Sequence, residues 1–191
     1  MQHIGTVAVI VSGTPQFRIV EDPSATAPIY CFYSQADLEA DLRNLSTAQA
    51  ERKKIRTFDD VVVAAAGEVV FSLLSGSAAI VRPGRSGYLL TQNYAKLVLS
   101  GETDARFFVY LLNEDQRIRR QLRMGMQGSA TMKYTLAQLG NLKLPPLPSA
   151  EKQKLIGELY FAQLELEALK KRASELETTY VLEMIRRAEQ P

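Results

Sequence analysis

The sequence predicts a mixed α+β chain, a β-rich globular domain followed by one long C-terminal α-helix. Three observations carry this reading. Short extended segments separated by turn residues fill Thr6 to Leu99, helical spacing replaces them after Gly101, and an unbroken apolar heptad runs from Leu155 to Tyr180. The 191 residues suffice for one core and an appendage, and 46% hydrophobic with 23% charged residues exclude a disordered or fibrous chain.

The extended segments are Val7 to Val11, Ile29 to Tyr33, Val61 to Ala66, Val69 to Leu74, Ala78 to Val81 and Gly87 to Leu90. Gly13-Thr14-Pro15, Ser75-Gly76-Ser77 and Pro83-Gly84-Arg85-Ser86-Gly87 break them, because glycine permits positive φ and proline fixes its own φ and donates no hydrogen bond. Ser34 to Leu45 reads as a helix, with Ser34 as cap and Leu38, Leu42 and Leu45 at helical spacing, placed to cover one face of the sheet.

After Gly101 a helix starts at Thr103-Asp104 and turns Phe107, Phe108, Leu111 and Leu112 inward, and Arg117 to Arg123 continue it as a basic helical turn until Gly125 to Ser129 end it. A short helix around Leu136 to Leu139 leads into Leu142-Lys143-Leu144. Pro145-Pro146-Leu147-Pro148 then enforces an extended connection, since each proline biases its predecessor away from the helical region. The expected boundary lies there, giving a domain over 1–148 and a helix over 149–191.

Ser149 is placed to cap the last helix. Leu155, Leu159, Ala162, Leu166, Leu169, Ala173, Leu176 and Tyr180 then alternate at spacings of four and three, which is a coiled-coil seam. A helix from Glu151 to Glu189 would be roughly 58 Å long, more than the width of a domain of ~150 residues, so most of it is expected to project. A projecting apolar stripe needs a partner helix, and self-association as a homodimer is the expected use.

Several function classes are excluded or weakened. One cysteine, Cys31, and one histidine, His3, cannot build a Cys/His zinc site or an internal disulfide. Neither a Gly-x-x-x-x-Gly-Lys-Ser/Thr loop nor a Gly-x-Gly-x-x-Gly fingerprint occurs, so no nucleotide cofactor is expected, and no metal. Cys31, in an apolar strand, reads as a buried thiol. Asp41 with Glu51-Arg52-Lys53 has the bare spacing of a metal-dependent nuclease, but no strand fixes the two acids, and Asp59-Asp60 reads as a strand-entry turn. The longest apolar runs fall far below the roughly 20 residues of a membrane span, and Met1-Gln2-His3 lacks the basic segment of a signal peptide, so a cytoplasmic protein is expected.

Charge is distributed unevenly. Up to Ala150 there are 16 basic and 13 acidic residues, against 7 and 8 after it. Arg117, Arg119, Arg120, Arg123 and Lys133 occur with no acidic residue from Gln116 to Lys133, and Arg43, Arg52, Lys53, Lys54 and Arg56 gather around Glu51. Such clusters can contact phosphate.

A set of segments in a fixed order carries a family resemblance. They are Gly67-Glu68-Val69-Val70-Phe71-Ser72; Ala79-Ile80-Val81; Gly87-Tyr88-Leu89-Leu90-Thr91-Gln92-Asn93-Tyr94; Asp104 to Leu112 with Phe107, Phe108 and Tyr110; Gly128-Ser129; Leu139 through Leu142-Lys143-Leu144-Pro145-Pro146; and Glu151-Lys152-Gln153 opening a long helix. From roughly Val61 to the C-terminus the chain resembles the specificity subunit of Type I restriction-modification systems. The resemblance implies a target recognition domain that reads half of a bipartite DNA site, followed by one of the long helices that separate two such domains in the full subunit. This chain has one domain, one helix and no internal repeat, so it looks like a half subunit. Two copies pairing their helices as an antiparallel coiled coil would restore two recognition domains.

In that family catalysis lies in separate modification and restriction subunits, and this sequence has neither an Asn-Pro-Pro-Phe/Tyr motif nor a helicase phosphate loop. No catalytic residue is expected. The implied partners are double-stranded DNA, the Type I modification (methyltransferase) subunit and a second copy. Expected phosphate contacts are Arg117, Arg119, Arg120, Arg123 and Lys133, with Lys53, Lys54 and Arg82 behind them. Arg85 and Ser86 on their turn are candidates for base contact, as are Gln92 and Asn93, for which a role in holding the turn's backbone is an equal alternative. Gly128-Ser129 reads as a structural turn. Two other readings stand beside this one: a coiled-coil adaptor that binds protein rather than DNA, and a regulator that exchanges with a full-length specificity subunit.

Overall fold

The computed structural model describes residues 1–45, 52–101, 103–125 and 133–189. Its centre is a four-stranded antiparallel sheet built from β2 (Ala8–Ser12), β5 (Val69–Ser72), β6 (Ala78–Ile80) and β7 (Tyr94–Leu99), in the order β2-β7-β5-β6. β5 is buried on both faces, and successive side chains alternate between them. Val69 and Phe71 enter a core with Leu97, Phe107, Phe108 and Leu111, whereas Val70 enters a second with Tyr33, Leu38 and Tyr94.

The first core is closed by α2 (Ala105–Glu114), α3 (Gln116–Met124) and α4 (Leu136–Gly140), and the second by α1 (Gln35–Arg43). The Ser34 hydroxyl accepts from the Asp37 N–H and the Asp37 carboxylate accepts from the Ser34 N–H, a reciprocal capping box that starts α1 at the expected residue. Two small ribbons complete the domain, β1 (Gln2–His3) with β8 (Lys143–Leu144) and β3 (Ile29–Cys31) with β4 (Lys54–Arg56), both antiparallel.

Two expected strands are not strands. Val61 to Ala66 and Gly87 to Leu90 run side by side and exchange backbone bonds, Ala64 N–H to Tyr88 O at 2.8 Å and Leu90 N–H to Val62 O at 2.8 Å. Leu89, however, is bridged to Val63 on one side and Phe32 on the other, and the bridges stay isolated. Conversely β7 forms where no segment was singled out. The basic turn is also corrected: Arg117 to Arg123 belong to a separate helix, because extended Asp115 (φ −63°, ψ 118°) ends α2 and caps α3 by accepting from the Arg117 and Ile118 N–H groups.

The last helix, α5 (Ala150–Ala188), has 39 residues. Ser149 precedes it, yet the serine side chain makes no capping bond. The first half lies on the domain rather than projecting from the start: Gln153, Gly157, Leu164 and Ala168 are buried. A Cβ at Gly157 would lie 2.6 Å from Arg106 Cβ and 2.7 Å from the Phe107 nitrogen, so only glycine lets α5 approach α2 this closely. Tyr160 stacks edge-on against Tyr110 at 5.5 Å and donates to Glu114 Oε1 at 2.9 Å. From Leu169 to Glu189 every residue is exposed, a projecting length of about 30 Å. No described helix is long and apolar enough to cross a membrane.

Candidate nucleic-acid interface

Helix α3 has one apolar side and one cationic side. Ile118 and Leu122, four residues apart, are fully buried and fix its rotation. Arg120 and Arg123 therefore face solvent, with no ion-pair partner among the described residues. Arg117 is exposed too, but forks onto Asp115, Nη2 to Oδ2 at 2.7 Å and Nε to Oδ1 at 3.2 Å. That guanidinium, with the two N-terminal amides of α3, holds the Asp115 carboxyl below its ordinary value against some burial. Arg119 donates to the Gly76 carbonyl at 2.5 Å and braces the β5–β6 turn. Gln121 behaves as a piece of strand, accepting from the Lys143 N–H at 2.9 Å and donating to the Lys143 carbonyl at 3.0 Å.

At one end of the sheet β2 and β5 finish and β6 and β7 begin. Several expected residues meet there. Lys133 donates to Asn93 Oδ1, and Gln92 Oε1 accepts from the Gln16 N–H at 2.7 Å. The next residue, Tyr134, lies over Gly76, whose φ of 67° and lack of a Cβ admit the ring. Arg119, Lys133, Gln92 and Asn93 thus share one rim, and the last two are engaged in holding loops together. Sequence reading missed Phe17 and Arg18 on the adjoining loop. Phe17 is 82% exposed with the Arg18 guanidinium 5.7 Å from its ring. Its signal in the sequence was an aromatic residue two positions after Pro15, beside an arginine in a turn-rich stretch. A groove of about 620 Å³ beside them is lined by Thr14, Arg18, Asp59 and Asp60.

Arg82, Arg85 and Ser86 follow β6 and so lie at the opposite sheet end from Gln92 and Asn93, which precede the parallel-running β7. Arg85, expected to reach a base from an exposed turn, is 6% exposed. Its Nε donates to Asp37 Oδ1 at 3.0 Å and its Nη1 to Asp41 Oδ1 at 2.6 Å. The guanidinium is therefore a clamp between this turn and α1 rather than a group on an exposed turn. Arg82 joins the same clamp, its N–H to Asp41 Oδ1 at 3.3 Å and its Nε to the Asp41 carbonyl at 3.4 Å. Ser86 remains exposed.

Burial works against ionisation of both aspartates. At Asp37 hydrogen bonds from Ser34 and Arg85 outweigh it and lower the carboxyl, whereas at Asp41 burial prevails over Tyr33 and Arg85 and raises it. Tyr33, which donates to Asp41 Oδ2 at 2.7 Å, is pushed well above the ordinary phenol range by burial and by that carboxylate. Asp41 is thus occupied by Tyr33 and Arg85, Glu51 lies outside the described residues, and no cluster of three potential metal ligands occurs among the described ones.

Lys53 and Lys54 are exposed on or beside the β3–β4 ribbon, Lys53 lying 5.0 Å from the Phe32 ring. Gly128 and Ser129 lie outside the described residues. The seam of α5 is open along its length, with Leu155 56%, Leu166 45% and Leu176 56% exposed.

No family model matches the chain. No curated protein matches it in sequence. Solved structures do. An HsdS subunit from Thermoanaerobacter tengcongensis shares 21% identity at a TM-score of 0.55, over 90% of this chain and 39% of that one. A Type-I restriction-modification system S subunit from M. genitalium shares 14% at 0.51, over 95% and 42%. A chain from a structure of complex assembly and conformational transition in the type I R-M system shares 15% at 0.64, over 99% and 48%. The chain therefore has the fold of type I specificity subunits, β-rich domain and long helix together, and spans less than half the length of each of these chains.

Proposed function

We propose that this chain is a half-length specificity subunit of a type I restriction-modification system, a non-catalytic reader that brings methyltransferase and restriction subunits to a bipartite DNA site. The observation that carries the reading is the shared fold, which runs through the domain and into the helix and spans 39 to 48% of each of those chains. In this reading residues 1–148 form the recognition domain and 149–191 the spacer and dimerisation helix. The chain works in the cytoplasm, where the DNA and its partner subunits are.

Recognition combines phosphate and base contacts. Arg120 and Arg123 are the foremost phosphate ligands, since no ion-pair partner among the described residues occupies them; Arg117, Arg119, Lys133, Lys53, Lys54 and Arg82 contribute field, several of them while tied to the protein. Gln92, Asn93 and Ser86 supply donors and acceptors for base edges, and exposed Phe17 adds an apolar contact at the same rim as Gln92. Two copies joined through α5 present two such surfaces to one interrupted, two-fold symmetric site.

The test is an electrophoretic shift of the purified chain, with a co-expressed modification subunit, against a random duplex pool at two salt concentrations, followed by sequencing of the retained DNA. Enrichment of an interrupted symmetric sequence, with retention falling steeply as salt rises, is the expected result. Retention that is absent at both salts overturns it and favours a protein-binding adaptor.

A further inference from the structure

Strand β6 forms one edge of the sheet, and its outward backbone groups are not all used. The Val81 N–H donates to the Glu68 carbonyl and the Ser72 N–H to the Ser77 carbonyl, each at 2.8 Å. That phase turns Ser77, Ala79 and Val81 toward β5 and leaves Ala78, Ile80 and Arg82 facing outward. Side chains answer two of these three. Asn113 takes both backbone groups of Ala78, at 2.8 Å and 3.0 Å, and Asp41 Oδ1 accepts from the Arg82 N–H at 3.3 Å. The Ile80 N–H and carbonyl, between them, have no hydrogen-bond partner among the described residues.

Ile80 lines a groove of about 660 Å³ between the sheet edge and α5, a volume within the range of small-molecule sites. Asp41 and Asn44 enter it from the end of α1, Arg106 from the start of α2, and Glu158, Phe161 and Glu165 from α5. Asn44 Nδ2 donates to Glu165 Oε1 at 2.7 Å and ties α1 to α5 at the groove wall. The Asp41 carboxylate is taken by Tyr33, Arg85 and the Arg82 N–H. Arg82 commits its Nε to the Asp41 carbonyl, and its two Nη nitrogens make no bond among the described residues. Arg106 and Glu158 are exposed, line the same groove and make no ion pair among the described residues.

One donor beside one acceptor selects a planar group with the complementary pair on a single edge. Adenine has that pair, N1 as acceptor and the N6 amino group as donor, and its neighbouring C2–H is apolar. Guanine, cytosine and uracil each carry a third polar group on that edge, which Ile80 leaves unanswered. Phe161, partly buried against the core, supplies an apolar wall for the ring. Two guanidinium groups suit a phosphate, and a free carboxylate suits a ribose diol.

We propose that the groove between β6 and α5 is a binding site for an adenine mononucleotide. The base edge meets the Ile80 backbone, the phosphate meets Arg82 and Arg106, and the ribose lies toward Glu158. Such a ligand touches domain and helix together, so it reinforces the docking of α5. The site is separate from the surface assigned to DNA and does not rest on that reading.

The test titrates AMP into the purified full chain by calorimetry and follows the Ile80 amide by NMR. Saturable binding of one AMP per chain, a raised melting temperature and slowed hydrogen exchange at the Ile80 N–H are the expected results. GMP, adenosine and inorganic phosphate should each bind at least about tenfold more weakly, since each leaves at least one of the contacts unmade. Arg106→Gln and Glu158→Gln, both at exposed positions, should weaken AMP binding severalfold and leave the urea midpoint in place, whereas Arg120→Ala, outside the groove, should leave AMP binding unchanged. Inorganic phosphate that binds as tightly as AMP overturns the site, as does AMP binding that responds to Arg120→Ala but not to Arg106→Gln. Absence of saturation at millimolar AMP, or binding without protection of the Ile80 amide, overturns it too. A chain that binds AMP as stated but retains no DNA supports the site and overturns the DNA reading alone.

Discussion

The Arg85 guanidinium meets the Asp41 carboxylate at 2.6 Å in the interior, joining the turn after β6 to the last turn of α1. Asp37, one helical turn earlier, takes the other edge at 3.0 Å. Arg85→Met should therefore leave buried Asp41 without its cation and Asp37 with Arg52 alone, 3.6 Å away, and cost about 3 to 5 kcal/mol in urea unfolding. If Arg85 also contacts bases, the variant would in addition change the enriched DNA sequence.

The same clamp sets a pH dependence with two signs. Asp37 lies below its ordinary value when folded, so its contribution is present above the unfolded carboxylate range and is lost as pH falls through the lowered value. Asp41 lies above its ordinary value, so it binds a proton more tightly in the fold and costs stability as pH rises through the elevated value. Urea midpoints measured from acid to neutral pH should show that Asp37→Asn removes part of the acid-side loss of stability.

Asp115 links stability to the proposed DNA surface. It caps α3 and neutralises Arg117, so Asp115→Ala should cost about 1 kcal/mol of stability. The same change frees Arg117 and should raise affinity for duplex DNA at low salt. Opposite movement of the urea midpoint and the DNA affinity is the outcome to look for; a parallel fall in both would place α3 away from DNA.

Arg120 and Arg123 differ from Arg119 in what they hold. Arg120→Ala and Arg123→Ala should each lower the slope of log affinity against log salt by about 1 and leave stability within about 0.5 kcal/mol. Arg119→Ala removes the donor to the Gly76 carbonyl and should lower stability as well.

Gly157→Ala tests the docking of α5. Alanine is the better helix former, yet its Cβ would collide with Arg106 and Phe107, so a net loss of about 1 to 3 kcal/mol is expected in thermal or urea unfolding. Leu159→Lys or Leu166→Lys, on the other face, should leave the fold intact and abolish self-association in sedimentation.

Local chemistry was readable where it acts through near neighbours. Ser34 announced α1, Asp104 announced α2, and the extended segment Val69 to Leu74 announced β5. Where distant partners decide, the residues did not say so. Pro83-Gly84-Arg85-Ser86-Gly87 has the composition of a solvent turn, and only the fold brings Asp37 and Asp41 to its arginine. A trace of this was present, since two aspartates four apart flank Leu38 on the inward side of α1 and buried acids need a cation. Val61 to Ala66 is apolar enough for a strand, but its neighbour Leu89 is shared with Phe32, a matter of topology rather than propensity. In α5 the seam drew attention away from the second stripe, Gln153, Gly157, Leu164 and Ala168, which mixes a polar residue with small ones and so lacks an apolar signature.

Strand β6 is the outer strand of its sheet, and the backbone of Ala78 is satisfied by a side chain: its N–H donates to Asn113 Oδ1 at 2.8 Å and its carbonyl accepts from Asn113 Nδ2 at 3.0 Å. Asn113 in turn donates to the Tyr160 hydroxyl at 3.3 Å, so the guard on this edge is itself held by α5. An unguarded edge is a template for strand addition between molecules. Cutting the chain at Pro148 would therefore yield no well-behaved recognition domain but a sticky one, and solubility, usually assigned to surface charge, is here partly a property of the helix.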